Sequence, residues 1–248
     1  MPETRMTLEE VGELTQSTLE SAGASPANAA SVARSTVLAE RDGIRSHGLM
    51  YVPIYAEHVT CGKVDGRSVP QVERTRPGSI RIDARSGFAH PAIDAGWELL
   101  IEAARENGVA AMTIHNSYNC GVLGHHAERL AEAGFVGMCF THAPASIAPV
   151  GGRKPVIGTN PFAIGVPGGN GGAMIVIDQS ASVIAKSEIM LRARNGEPIE
   201  SHWALDEEGN PTTDASRALK GSMAPSGGYK GFGMGLMVEI MASCLAGA

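Results

Sequence analysis

The sequence predicts an α/β fold in which helices layer a mixed sheet, preceded by a small helical unit. Residues 8–61 carry apolar side chains at helical spacing, whereas from residue 80 onward short apolar runs alternate with longer helical segments. No G-x-G-x-x-G follows a predicted strand and no G-x-x-x-x-G-K-[ST] is present, so the Rossmann and P-loop folds lack their motifs. We expect the helical unit over residues 1–75 and the α/β domain over residues 76–248.

The helices are predicted from capping residues and apolar spacing. Thr7 and Glu10 form a capping box before a helix over residues 8–22, and Ser25-Pro26 begins a second helix that ends near Asp42-Gly43. Further helices are predicted over residues 51–61, 92–106, 123–133, 183–194 and 231–248. The last of these is strongly apolar, so we expect it to be buried on most faces and the protein to continue beyond it.

The strands are predicted from short apolar runs that end at turn residues. They lie at residues 80–83, 109–114, 136–141, 162–166 and 174–178. The stretch PGGNGG joins the last two, and its glycines permit a tight hairpin-like turn. The Pro- and Arg-containing stretch SVPQVERTRPGS, at residues 68–79, is interpreted as a connection between the two parts of the chain.

Composition excludes several classes of protein. The 248 residues carry a net charge of −6 with Lys and Arg scattered, which argues against a nucleic-acid partner. No apolar run has the length of a membrane span, and the N-terminus has acids where a signal peptide needs an apolar core, so a cytoplasmic location is expected. The four cysteines fit neither a disulfide framework nor a zinc site; we expect them to be reduced and mostly buried, with no bound metal.

Four polar stretches carry residues suited to chemistry. In Ser46-His47-Gly48, the histidine can donate a proton to a carbonyl and the glycine lets a ligand approach the backbone, although an exposed or capping histidine is the alternative. Residues 115–121, HNSYNCG, follow a predicted strand and precede His125-His126; a polar turn is the alternative there.

The other two stretches are rich in glycine. Residues 149–167 contain two positive charges and could hold an anion with backbone amides, or else shape a crossover. Residues 225–231 place Lys230 in a glycine-rich turn at the start of the last helix. That is a plausible phosphate clamp because amides and ammonium point the same way, with a solvated lysine as the alternative.

Taken together, these stretches resemble the malate/L-lactate/L-sulfolactate dehydrogenase family, which also contains ureidoglycolate dehydrogenase, 2,3-diketogulonate reductase and Δ1-piperideine-2-carboxylate reductase. The resemblance is carried by SHG at 46–48, NSYNCG at 116–121, APVGGRKPVIGTNPFAIGVP at 148–167, IDQSAS at 177–182, GNPTTD at 209–214 and GGYKG at 227–231. It implies a homodimeric oxidoreductase with a small-molecule substrate, NAD or NADP as cofactor, and a non-Rossmann NAD(P)-binding domain.

The resemblance also implies roles for individual residues. His47 would give a proton to the carbonyl oxygen as hydride arrives at carbon, and take it back in the reverse direction. Ser46 and Thr159 would line the substrate cleft. The cofactor-binding residues would be Asn160, Ile177, Asp178, Gln179, Ser180, Tyr229 and Lys230, with Ala143 and Pro144 as weaker candidates for backbone contacts.

Two positions depart from the family pattern. Tyr51 stands where many members have an arginine suited to a substrate carboxylate, and Asn119 stands in the catalytic region where many have a histidine. Because Asn119 cannot exchange protons near neutral pH, His47 must carry that role, or else one of His115, His125 and His126 does. An anionic substrate would then be bound by Arg45 or Arg153. The cation for an NADP 2′-phosphate is left open among Lys186, Arg192 and Arg194.

The predicted function is hydride transfer between NAD(P) and a small 2-oxo acid/2-hydroxy acid pair of the malate, lactate or sulfolactate type. A reductase of cyclic imino acids, of the Δ1-piperideine-2-carboxylate type, is the first alternative. The second is a family member that binds a ligand without catalysis, which the replacements at Tyr51 and Asn119 suggest.

Overall fold

The computed structural model describes residues 5–247, which form two compact units that divide between His125 and His126. The helices are α1 (Leu8–Ser21), α2 (Pro26–Arg41), α3 (Val52–Thr60), α4 (Ala89–Asn107), α5 (Leu123–Glu132), α6 (Lys186–Asn195), α7 (Ala215–Lys220) and α8 (Tyr229–Glu239). The strands are β1 (Gln71–Arg76), β2 (Ser79–Phe88), β3 (Ala111–Tyr118), β4 (Gly137–Phe140), β5 (Phe162–Pro167), β6 (Ala173–Gln179), β7 (Ala204–Leu205) and β8 (Ser222–Met223).

The first unit begins with the predicted helices. Thr7 caps α1 by accepting a hydrogen bond from the backbone N–H of Glu10 (3.2 Å), while the Glu10 carboxylate accepts from the backbone N–H of Thr7 (2.7 Å). The capping box is therefore confirmed. Apolar side chains of these helices, among them Leu19, Val32 and Tyr55, pack into one cluster with Phe88 at the end of β2.

The sheet of the first unit is mixed, because β1 pairs with β2 antiparallel and β2 pairs with β3 parallel. Ile80 and Ile82 of β2 are fully buried in the cluster to which α4 also contributes. Strand β1 is not predicted by the sequence, because its residues QVERTR are mostly exposed and lack an apolar alternation. Strand β2 is longer than predicted, and the predicted domain boundary at residue 75 falls inside β1.

The second unit is built on an antiparallel sheet, β4-β5-β6. The predicted turn between β5 and β6 is confirmed, since the backbone N–H of Gly168 donates to the carbonyl of Gly172 (2.7 Å). A third cluster, centred on the buried Ile147, Ile157 and Ile189, includes buried residues of α6, α7 and the short β7-β8 pair. The sequence does not predict α7, β7 and β8, which are only two to six residues long.

Two expectations about burial are wrong. The last helix is not buried on most faces: α8 ends at Glu239 in a π-helical turn, Ile240–Cys244, and Leu236 and Leu245 are 43% and 69% exposed. The cysteines are not mostly buried either, because Cys61 and Cys244 are exposed while Cys120 and Cys139 are half-buried; none of the four forms a disulfide.

The predicted helix over 183–194 begins later, at Lys186.

The structure was also searched for membrane spans. Between residues 5 and 247, none of the helices combines the length and the apolar character that crossing a membrane requires.

Candidate active site

A cavity of about 210 Å³ in the second unit brings together three of the predicted cofactor-binding residues, Gln179, Ser180 and Lys230. The end of β6 forms one wall and the start of α8 forms the other. The full lining is Phe162, Gln179, Ser180, Ala181, Ser226, Lys230, Gly231 and Met234. Sequence reasoning did not assign roles to the five further residues, although Ser226 and Gly231 lie in the glycine-rich stretch that it singled out.

The α8 wall of this cavity requires glycine. Gly227 and Gly228 have positive φ angles of 66° and 65°, and a Cβ at Gly231 would overlap the carbonyl oxygen of Ser226. The backbone N–H of Ser226 donates to the carbonyl of Ala181 (2.8 Å), which ties this turn to the end of β6. Lys230 follows as the second residue of α8, so its ammonium and the first-turn N–H groups are suited to hold an anion.

Asn160 lies inside the second unit and not at the surface of the cavity. Its side chain is fully buried, its φ is 41°, and its amide reaches three groups. Oδ1 accepts from the backbone N–H of Ala143 (3.0 Å), while Nδ2 donates to the carbonyl of Gly235 (2.9 Å) and to Oε2 of Glu239 (2.8 Å). Both atoms of the Asn160 amide thus have protein partners, which fits a residue that positions α8; the predicted part of Asn160 in cofactor binding stays a prediction.

The other predicted cofactor-binding residues lie outside the cavity lining. Ile177 and Tyr229 are 46% and 71% exposed, and Asp178 is exposed on β6 beside them. Thr159 contacts the end of β6 through its backbone, because its carbonyl accepts from the N–H of Ala181 (2.7 Å). Ile177, Asp178 and Tyr229 are thus close in sequence to the lining residues Gln179, Ser180 and Lys230, but they do not line the cavity themselves.

His47 lies in the first unit, in a short 3-10 turn, Arg45–His47. Its Nδ1 is 3.0 Å from Oγ of Ser46. Gly48 is predicted to let a ligand approach the backbone, but the structure shows another reason for glycine at this position. A Cβ at Gly48 would overlap Oε1 of Glu40, and this oxygen accepts a hydrogen bond from the backbone N–H of Leu49 (2.7 Å). Glu40 on α2 thus holds the turn that carries His47.

Asn119 stabilises a turn. Its Oδ1 accepts from Oη of Tyr55 (3.0 Å) and from the backbone N–H of Gly121 (2.7 Å). Tyr55 is 2% exposed, and burial raises the pKa of its hydroxyl, which keeps it a donor. Because the Asn119 carbonyl accepts one hydrogen bond within this turn and one from Tyr55 on α3, we assign the residue a positioning role; its predicted part in catalysis stays a prediction.

Tyr51 belongs to an aromatic cluster and not to an anion site. Its ring packs edge-on against Tyr55, with centroids 4.8 Å apart, and is nearly parallel to the His47 ring at 6.5 Å. Tyr118 packs edge-on against Tyr55 as well, and its hydroxyl lies 2.6 Å from Nδ1 of His58. The substrate-binding prediction for Tyr51 therefore rests on its place beside His47.

The alternative histidine His115 lines a separate polar cavity of about 550 Å³ in the first unit. This cavity lies on strands β1, β2 and β3, and its lining is Gln71, Val72, Glu73, Arg81, Asp83 and His115. Nε2 of His115 is 4.0 Å from Oδ2 of Asp83. Hydrogen bonds from Asn116 and from the backbone of Arg85 hold the pKa of Asp83 below its usual value, so the carboxylate stays charged beside the ring.

His125 joins α5 to the end of α2. Its Nε2 lies 2.9 Å from Oδ2 of Asp42, whose Oδ1 accepts from Nε of Arg41 (2.7 Å). The Arg41 hydrogen bond, with a smaller contribution from His125, lowers the pKa of Asp42 to about 2. His125 is thus held by a carboxylate, whereas His126 begins the second unit.

We expect the D42N variant to have a lower thermal midpoint than wild type at pH 6. The difference between the two midpoints should shrink as the pH falls. A carboxyl whose folded-state pKa is depressed stabilises the fold above its usual pKa of 3.8, and that contribution disappears as the pH falls towards 2. Midpoints of both proteins measured between pH 6 and pH 3 test this. Glu57→Gln, at an exposed position of α3, is the control and should stay near wild type. A gap between wild type and D42N that does not change with pH would contradict the assignment.

The cationic side chains considered for binding an anionic substrate or the 2′-phosphate of NADP differ in their exposure and in their hydrogen bonds. Arg45 is exposed beside His47. Arg192 bonds to Glu188 (3.0 Å) and to the carbonyl of Pro198 (3.1 Å), and Nζ of Lys186 donates to Oγ of Ser146 (3.2 Å). Arg153 and Arg194 are exposed in the second unit and do not line its cavity. Among residues 5–247 no three His, Cys, Asp or Glu side chains cluster as metal ligands.

Comparison with known proteins places this geometry in a family. Residues 6–248 match the model of the malate/L-lactate dehydrogenase family. The (2R)-3-sulfolactate dehydrogenase (NADP(+)) of Chromohalobacter salexigens is 44% identical over 98% of this chain and 72% of its own length. A Δ1-pyrroline-2-carboxylate reductase of Ancylobacter novellus is 42% identical over 98% of this chain and 71% of its own length.

The fold is also similar to solved structures of dehydrogenases and reductases. The Δ1-piperideine-2-carboxylate reductase of Pseudomonas syringae pvar. tomato superposes with a TM-score of 0.95 at 35% identity, covering 99% of this chain and 74% of that one. Sulfolactate dehydrogenase of Methanocaldococcus jannaschii gives a TM-score of 0.88 at 29% identity, covering 98% and 70%. The predicted fold class is confirmed, and the chain belongs to the malate/L-lactate dehydrogenase family of oxidoreductases, as the resemblance of its motifs implies.

Proposed function

We propose that this protein transfers hydride from a nicotinamide cofactor to the carbonyl carbon of a small 2-oxo acid. As a member of its family the chain is an NAD(P)-dependent oxidoreductase. The observation that carries the proposal is the cavity between β6 and α8, where Lys230 and a glycine-dependent helix start face Gln179 and Ser180. Such a wall suits the phosphates of a dinucleotide, because helix N–H groups and an ammonium both favour negative charge.

His47 is proposed as the group that handles the proton. A bound nicotinamide supplies or accepts the hydride. When the His47 ring carries two protons, Nδ1–H donates to the Ser46 hydroxyl, and Nε2–H can give its proton to the carbonyl oxygen as negative charge develops there, which leaves a neutral imidazole. His47 lies in the first unit, and the cavity proposed for the cofactor lies in the second.

Reduction of a cyclic imino acid is the second candidate. It is favoured by the 42% identity to the pyrroline-2-carboxylate reductase, which nearly equals the 44% identity to the sulfolactate dehydrogenase. The two substrate types share a planar carbon bonded to a carboxylate and to oxygen or nitrogen. The same hydride geometry and the same proton donor serve both, so substrate choice depends on groups such as Tyr51 and Arg45 near His47.

Coenzyme oxidation at 340 nm tests this proposal and separates the two substrates. NADH and NADPH are offered separately with pyruvate, oxaloacetate, sulfopyruvate and Δ1-piperideine-2-carboxylate. Higher kcat/KM on a 2-oxo acid supports the main proposal, whereas higher kcat/KM on the cyclic imine supports the second. Failure to oxidise either coenzyme with every substrate would contradict both. A thermal shift with a coenzyme in that case would favour the non-catalytic alternative.

We expect Lys230→Met to raise the Kd of NADPH by about 10-fold, because charge-assisted hydrogen bonds contribute roughly 1.5–3 kcal/mol and part of this is lost at an open site. The apolar stem is kept, so the fold should be retained. Kd values from fluorescence titration of NADPH measure the effect. Lys220→Met, at the exposed end of α7, is the matched control and should bind as wild type does. Equal affinities for K230M and K220M would remove Lys230 from the site.

A homodimer in the cytoplasm is also proposed. Exposed apolar side chains of the second unit, such as Ile177, Leu236 and Leu245, support an association surface. Four cysteines that form no disulfide agree with a reducing compartment. Light scattering after size exclusion tests the dimer, since a mass of one chain at micromolar concentration would contradict it.

A further inference from the structure

Two hydrogen bonds behind the cavity fix the direction of a hydroxyl proton. Oγ of Ser182 lies 2.7 Å from the carbonyl oxygen of Ile184, and 3.0 Å from Oγ of Ser180. A carbonyl oxygen only accepts, so the single proton of the Ser182 hydroxyl must lie in the bond to Ile184. Ser182 is 6% exposed, which leaves its hydroxyl inside the protein.

The proton of Ser180 is thereby fixed as well. Because Ser182 has already used its proton, the contact between the two hydroxyls is made by Ser180 donating to Ser182. Ser180 lines the cavity, and its oxygen there retains only lone pairs. Lys230, on the α8 wall, can only donate. The cavity therefore offers a hydrogen-bond acceptor on the β6 wall and a donor on the α8 wall.

We propose that Ser180 is a specificity-determining residue that accepts a hydrogen bond from a donor group of the bound dinucleotide. The donor is an N–H of the carboxamide or a ribose hydroxyl, while phosphate oxygens, which need donors, lie towards Lys230. This inference rests on the proposed function, and it assigns an orientation to the cofactor in that cavity. Ser182 acts through Ser180 and is a positioning residue.

Binding of cofactor analogues to four proteins tests the assignment. NADPH is compared with its 3-acetylpyridine analogue, which lacks the amide N–H, and with analogues that lack one ribose hydroxyl. Wild type should bind one of these about 3- to 10-fold more weakly than NADPH, the range expected for one neutral hydrogen bond. The analogue that shows the loss identifies the donor.

The variants separate acceptance by Ser180 from a general effect on binding. Ser180→Ala should bind NADPH as weakly as wild type binds that analogue, and should no longer distinguish the two ligands. Ser182→Ala keeps the Ser180 hydroxyl but frees its proton, so the discrimination should shrink while the thermal midpoint reports any loss of stability. Ser201→Ala removes a hydroxyl at an exposed position of the second unit that does not line the cavity, and it should preserve the wild-type ratio.

The outcomes distinguish this inference from the proposed function. Discrimination by wild type that disappears in S180A and shrinks in S182A supports the inference. Discrimination that persists unchanged in S180A, or wild type that binds NADPH and all analogues equally, would overturn it while leaving cofactor binding intact. Wild type that binds no dinucleotide would overturn the proposed function, and this inference with it.

Discussion

Replacing His47 with glutamine is expected to lower kcat by about 10²- to 10⁴-fold, the usual contribution of a general acid or base. Glutamine keeps a polar side chain beside Ser46 but cannot deliver a proton to the carbonyl oxygen. His47 lies in the first unit, whereas the cavity with Lys230 lies in the second, so the Kd of NADPH should stay within about 2-fold of wild type. Steady-state kinetics and NADPH titration measure the two effects separately.

The control for this variant is His202→Gln, at an exposed histidine of the second unit that packs against Trp203. It should have near wild-type kcat. A similar kcat for H47Q and wild type would contradict the assignment and would make His115, His125 and His126 the next histidines to replace. His125 is the weakest of these, because its Nε2 is already bound to Asp42.

Asn160→Leu is expected to lower the free energy of unfolding of the second unit by about 2–5 kcal/mol. The change leaves the buried carbonyl of Gly235 without the amide, together with the half-buried N–H of Ala143 and carboxylate of Glu239. A buried unpaired group costs roughly 1–3 kcal/mol, and a half-buried one costs less. Leucine at a φ of 41° adds strain, since asparagine tolerates the left-handed region better. Urea denaturation measures the change. Asn170→Leu, in the exposed turn between β5 and β6, should change stability by less than about 0.5 kcal/mol.

Asn160→Asp separates the hydrogen bonds from the packing. Aspartate keeps the shape and the acceptor for Ala143, but it places an oxygen where Nδ2 donates to Gly235 and Glu239. Two acceptors and a carboxylate then face one another, so the pKa of the new carboxyl should rise in the folded state. A raised pKa gives stability that is present at low pH and lost as the pH increases. We therefore expect the gap in thermal midpoint between wild type and N160D to widen from pH 5 to pH 8.

A second change in the same pair gives a rescue. In N160D/E239Q, the glutamine amide can donate to the new aspartate, and the gap at pH 8 should narrow. If N160D were as stable as wild type at pH 8, or if the double variant were less stable than N160D alone, Asn160 would not hold α8 through these bonds. Because α8 carries Lys230, the Kd of NADPH should follow the same order as stability.

The elements predicted best are those whose residues follow a simple period or a cap. Thr7 and Glu10 specify the start of α1 locally, and PGGNGG specifies the turn between β5 and β6. Strand β1 could not be found in this way, because QVERTR has no apolar alternation and is ordered by its pairing with β2. The exposure of Leu245 likewise depends on which residues surround the last helix, which a hydropathy pattern does not specify.

The site shows the same division between local and long-range information. Glycines and a lysine in one turn predicted an anion site at the start of the last helix, and Lys230 lines the cavity between β6 and α8. Sequence alone could not show that Asn160 points inward, since its partners lie at Gly235 and Glu239, 75 and 79 residues away. Nor could it show that Gly48 is required by the approach of Glu40. Motif residues thus predict where a site lies, whereas the role of each side chain depends on its contacts with residues that are distant in sequence.

Transfer of deuterium tests the central claim most directly. The protein is incubated with NADPH that carries deuterium at C4 of the nicotinamide, on either face in separate samples, and with whichever 2-oxo acid or cyclic imine it reduces. Mass spectrometry of the product locates the label. The account predicts that one of the two labelled coenzymes places deuterium at the carbon next to the carboxylate. Product that carries no deuterium from either coenzyme, or no product at all, would contradict direct hydride transfer by this protein.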